Sequence, residues 1–144
     1  MQQTVGYANH ISNIVSNELK LTMDNLSEQI RNLTDNIATL FIDNKGEDLL
    51  QLFPNDCPAI DCPVLVITAA SNRHAQTLSE KVLRLLKDSP LIKDIKVDGL
   101  PTANWVAIDA GHLIIHIFLA QVRDYYQIEK IWNQSPKDMV NKKE

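Results

Sequence analysis

The stretch WVAIDAGHLIIHIF, residues 105–118, decides the fold. Trp105 to Asp109 and His112 to Phe118 are runs rich in β-branched and aromatic side chains, separated only by Ala110-Gly111. Two such runs around a two-residue spacer predict a β-hairpin whose turn uses the glycine. Immediately after it, Val122, Tyr125 or Tyr126, Ile128 or Glu129, and Trp132 fall at helical spacing. Ser135-Pro136 stops that predicted helix before a charged tail.

Upstream, Asp98-Gly99 marks a turn after a short predicted strand, Ile95 to Val97. SNRHAQTLSEKVLRLLKD, residues 71–88, predicts a helix. Ser71 or Asn72 caps it, Ala75, Leu78, Val82 and Leu85 or Leu86 form its buried stripe, and Arg73, Glu80, Lys81, Arg84 and Lys87 occupy the wet side. VLVIT, residues 64–68, is apolar without alternation, which suits a strand covered on both faces. Leu49 to Phe53 reads as a further strand, ended by Pro54. Leu26, Ile30, Leu33, Ile37 and Leu40 with Phe41 step by three and four, a helix of about five turns. Asp24 is its expected N-cap and Lys45-Gly46 its stop. Residues 1–23 carry Ile11, Ile14, Val15 and Leu19 at helical spacing, enough for a short, weakly amphipathic helix. The order of helix, strand, strand, helix, strand, hairpin and helix predicts an α/β domain: a mixed sheet of about five strands with flanking helices.

With 144 residues and 44% hydrophobic content, the chain suits one domain, since folding at this length buries roughly 70% of the unfolded surface. Fourteen basic against 18 acidic side chains give a formal charge of -4, which argues against a grip on nucleic acid through many phosphates. Residues 1–61 hold three basic and nine acidic side chains, net -6, and residues 62–144 hold eleven and nine, net +2. The acidic part reads as solvated helix faces. No secretory or Arg-rich presequence pattern opens the chain, and no stretch reaches the roughly 18 apolar residues of a membrane span, so a cytoplasmic protein without a membrane partner is expected. Cys57 and Cys62 lack a second pair for a structural zinc site and read as reduced thiols.

Catalytic groups are hard to find. His112 and His116 lie four apart, but on a strand that spacing means about 13 Å, too far to clasp one ion. Ser71, Asn72, Arg73 and His74 open a helix after a strand, where an α/β sheet offers amides to an anion, yet Thr68-Ala69-Ala70 before them is no glycine-rich loop. Asp61, Asp98 and Asp109 never approach Asp-x-Asp spacing on a strand, as a two-metal site would want. No Ser or Cys stands in a nucleophile elbow. VRDYYQIEKIW, residues 122–132, is different: it spends two tyrosines, a tryptophan and an arginine on eleven residues. Trp132 and one tyrosine are expected in the core, leaving the other tyrosine and Arg123 as anchors of the kind that dominate protein interfaces.

SNRHA at 71–75, Asp98-Gly99, WVAIDAGHLIIHIF at 105–118 and VRDYYQIEKIW at 122–132 together resemble the ribosomal silencing factor family, also called Iojap. Order and spacing match as well as letters, and the resemblance covers roughly residues 26–133. It implies a nucleotidyltransferase-like fold without that fold's metal carboxylates or phosphate loop, and a function without catalysis or cofactor. Members bind the large ribosomal subunit at ribosomal protein L-fourteen and sterically block its association with the small subunit, lowering translation in starvation; free members commonly form homodimers. Asn72, Arg73, His74, Trp105, Asp109, His116, Arg123, Tyr126 and Glu129 are the candidate partner-binding residues by match to the motifs and by side-chain type. The chain departs from the family pattern at Asp61-Cys62-Pro63-Val64, where Thr-Asp-Tyr-Phe is usual, at Ala69-Ala70 for Gly-Thr, and at His112 for Asp. Residues 1–23 are expected to be an N-terminal extension, with 1–22 dispensable or the product of an upstream start site, 24–134 the domain, and 135–144 a polar tail. The alternatives are a minimal nucleotidyltransferase and a dimeric interaction module that does not act on ribosomes.

Overall fold

The computed structural model describes residues 2–52 and 62–130. Eight elements follow in order: α1 (Gln2–Asp43), β1 (Glu47–Leu52), β2 (Val64–Ala69), α2 (Asn72–Lys87), β3 (Lys96–Asp98), β4 (Trp105–Asp109), β5 (Ile114–Leu119) and α3 (Ala120–Tyr126). The five strands form one mixed sheet in the order β1-β2-β5-β4-β3, with β2 parallel to β5 and every other pairing antiparallel. This is the α/β architecture that the sequence patterns predict.

All six residues of β2 are buried, because it lies inside the sheet and both faces are covered. Leu65, Ile67, Val106, Ile108, Ile115 and Ile117 point to one side, where Leu33, Ile37 and Phe41 of α1 and Ala75, Leu78, Val82 and Leu86 of α2 close the main core. Val64, Val66 and Phe118 point to the other side and pack with Leu52 and Ile128 in a smaller cluster bordered by Leu50, Trp105, Ile114 and Val122. The strand period of two therefore divides the hairpin's residues between two cores.

Several boundaries differ from the sequence reading, each for a local reason. α1 is one helix of 42 residues and does not begin at Asp24. No glycine or proline lies between Gly6 and Gly46, so nothing interrupts its backbone hydrogen bonds. Its stripe of Ile30, Leu33, Ile37 and Phe41 is buried against the body, while Ile14, Val15, Leu19 and Leu21 stand exposed. Its end matches the expected stop: Lys45 takes a φ of 66° and the Gly46 N–H donates to Phe41 O at 2.8 Å. A Cβ on Gly46 would stand 2.7 Å from Ile67 Cγ1, so the close approach of helix end and sheet requires glycine there.

β1 starts two residues early, at Glu47, because a bulge with Asp48 at φ 51° shifts its register against β2. Phe53 and Pro54 lie outside the described residues. β3 is displaced by one residue from its expected place, and Ile95 instead packs against the core. The hairpin loop is longer than the two residues expected. Asp109 pairs with Ile114, Ala110 N–H donates to Leu113 O at 3.0 Å, and Leu113 turns fully inward, so His112 sits in the loop and not on a strand. The last predicted helix is broken: α3 ends at Gln127, in the left-handed region at φ 47°, with its N–H bonded to Arg123 O. That turn lets Ile128 bury in the second cluster. Trp132 lies outside the described residues.

Candidate functional site

β2 and β5 run in parallel, so their carboxyl ends, with the start of the antiparallel β4, form one end of the sheet. α2 and α3 both depart from that end. Most of the candidate residues collect there in two groups, one on each side of the sheet.

The first group belongs to the start of α2. Ser71 caps it, its hydroxyl accepting from His74 N–H at 3.0 Å. Asn72 is thereby free of capping, and its Nδ2 donates to Thr102 O at 2.8 Å and Asn104 Oδ1 at 2.6 Å, tying the helix to the loop before β4. His74 is structural as well. Its Nδ1 accepts from Ala70 N–H at 2.9 Å and its Nε2 donates to Asn44 O at 2.7 Å, which fixes the ring as the Nε2-protonated tautomer and links the ends of α1 and α2. Arg73 is exposed.

The second group is aromatic. The Trp105 ring stacks on Phe118 with centroids 4.9 Å apart, meets Tyr126 at 5.1 Å, and donates through Nε1 to His116 Nδ1 at 3.0 Å. An indole nitrogen only donates, so His116 is the acceptor and its imidazole is neutral. Burial pushes His116 down to about 4 from its ordinary 6.5, in agreement with that role. Tyr125 packs edge-on against Tyr126 at 5.0 Å. The expectation of one core tyrosine is corrected here: Tyr125 is 81% and Tyr126 54% exposed. The short α3 and its left-handed end leave both rings at the rim, and Ile128 takes the core position instead.

Arg123 is not an exposed anchor. Its side chain is only 11% exposed, Nη1 donates to Asp48 O at 2.6 Å and Thr68 Oγ1 at 2.8 Å, and Nε pairs with Glu129 Oε1 at 3.3 Å. It therefore fastens α3 to the β1 bulge and to β2. Sequence reasoning misses Thr68 and Asp48 as its partners, since a backbone carbonyl at a bulge leaves no mark in a sequence. Asp109 stands at the opposite end of the sheet, where its Oδ1 accepts from Gly111 N–H at 2.9 Å and shapes the hairpin loop. The structure brings Trp105, His116 and Tyr126 together, sets Arg123 and Glu129 in a separate network that ties α3 to β1 and β2, and separates Asp109 from both. Phe118 and Tyr125 complete the aromatic cluster.

Among the described residues, no group of three or more His, Cys, Asp or Glu side chains could hold a metal ion, and no helix is long and apolar enough to cross a membrane. A shallow groove lined by Gln29, Asn32, Leu33, Leu85 and Leu91 runs between α1 and α2, on the other side of the sheet from the aromatic cluster.

Known proteins resemble this chain in sequence and in fold. The ribosomal silencing factor RsfS of Chromobacterium violaceum is 33% identical over 90 residues, covering 62% of this chain and 73% of the relative. A crystal structure of a protein from the same organism superposes with a TM-score of 0.65 at 32% identity, covering 74% of this chain and 89% of that one. A mouse protein named mitochondrial assembly of ribosomal large subunit protein 1 is 27% identical over 67 residues, 45% of this chain and 29% of its own length. The family model described as "Ribosomal silencing factor during starvation" matches residues 27–144, and the chain belongs to the ribosomal silencing factor family.

Proposed function

We propose that this protein is a non-enzymatic translational repressor: it binds the large ribosomal subunit at ribosomal protein L-fourteen and blocks association with the small subunit. The observation that carries the reading is the aromatic ledge of Trp105, Tyr125 and Tyr126. Two tyrosines more than half exposed beside a half-buried tryptophan, all braced by one sheet, have the composition of an interface anchor. Steric block needs only a rigid body held in place. An interface of ordinary size, on the order of 1,600 Å² in total, suffices.

The same reading makes the free chain a cytoplasmic homodimer, residues 24–134 the ribosome-binding domain, and the exposed Arg73, at the same end of the sheet but on its other side, a further contact. The protein should travel with purified large subunits through a sucrose gradient. A folded protein that stays at the top of that gradient defeats the proposal.

A further inference from the structure

We infer that His116 is a positioning residue for docking: it holds the Trp105 indole in the plane that presents the aromatic ledge to the partner and does not itself meet the partner. The inference rests on the docking reading above and adds to it the atom that sets the ledge's shape. His116 lies opposite Ala107 in the β4-β5 register, on the same face as Trp105 two residues away, so the small Ala107 leaves room for the indole to lean across. The indole then has one polar atom, Nε1, which would be costly to leave unbonded at a half-buried position, and His116 Nδ1 satisfies it at 3.0 Å. Phe118 holds the two rings from a third side, stacked on Trp105 at 4.9 Å and on His116 at 5.9 Å. Tyr126 leans on the indole thus fixed, and Tyr125 leans on Tyr126. The chain of contacts runs from a half-buried histidine to a tyrosine 81% exposed, so the orientation of the outer rings is set by an acceptor below them.

The test uses the full chain in a Trp132→Phe background, which leaves Trp105 as the sole indole. His116→Phe keeps a ring and removes the acceptor. His116→Asn removes the ring and keeps an acceptor, because Oδ1 stands where Nδ1 does. The parent should show one indole N–H signal protected from solvent exchange. In His116→Phe that protection is lost and affinity for purified large subunits falls about tenfold, the worth of one well-placed hydrogen bond; in His116→Asn both recover. His116→Leu serves as the acceptor-free variant should the phenylalanine prevent folding. Unchanged affinity in a folded acceptor-free variant with a freed indole overturns the inference and leaves the docking reading standing. Equal weakening by Phe and Asn, with the indole protected only in Asn, overturns it too, since the ring itself then meets the partner. A parent that ignores large subunits removes the docking reading and this inference with it.

Discussion

Arg123 Nη1 lies 2.8 Å from Thr68 Oγ1, and this bond joins the last described helix to a fully buried strand. The same nitrogen satisfies Asp48 O at the β1 bulge, so one guanidinium serves three elements. Arg123→Ala is expected to lower stability by about 2–3 kcal/mol, because it strands the Thr68 hydroxyl, the Asp48 carbonyl and a half-buried Glu129. Arg123→Lys should recover little of this, as an ammonium cannot reproduce the fork. Urea unfolding of the three proteins measures both. A loss below about 0.5 kcal/mol, the level of a surface substitution, contradicts the structural role.

His74 makes a comparable tie on the other side of the sheet. His74→Ala removes an acceptor for Ala70 N–H and a donor to Asn44 O, so a loss of about 1–2 kcal/mol is expected. Hydrogen exchange at the Ala70 amide should quicken more than at amides in the middle of β2. Uniform quickening would show that the variant opens globally, without a specific break at this joint.

The fold was legible because its signals are periodic. β2 declared itself by four consecutive apolar residues, Val64 to Ile67, without alternation, and α2 by a cap and a stripe at helical spacing. The aromatic site was legible only in part. Trp105 and Tyr126 stand out by type, but whether a tyrosine faces core or solvent depended on Gln127, a non-glycine residue in left-handed conformation that no composition rule singles out. Arg123 looked like an anchor because its partners are a bulge carbonyl and a threonine 55 residues away. The break predicted at Asp24 failed for a similar reason: a residue able to cap a helix does not end one when the chain before it is also helical.

Stability should depend on pH through His116. Its folded form resists protonation down to about 4, while the unfolded histidine takes up a proton near 6.5. Between those values the unfolded chain binds the extra proton, so this contribution is fully present above about 6.5 and is lost as pH falls toward 4. The loss is on the order of 2 kcal/mol, allowing for screening at a half-buried site. Wild type and His116→Asn, unfolded by urea at pH 7.5 and pH 4.5, should differ in how much stability acid removes, wild type losing more. Identical losses would show that His116 contributes nothing to the dependence.

In the proposed function the bound protein is an obstacle, and the aromatic ledge seats it. Light scattering during the mixing of purified large and small subunits reads this directly. With the wild-type chain prebound, formation of the joined ribosome should fall steeply with protein concentration, and Tyr125→Ala with Tyr126→Ala should shift that dependence to at least tenfold higher protein, the level expected for a hot-spot pair. Subunits that join at the normal rate and extent while the wild-type protein is bound to the large one would contradict the account.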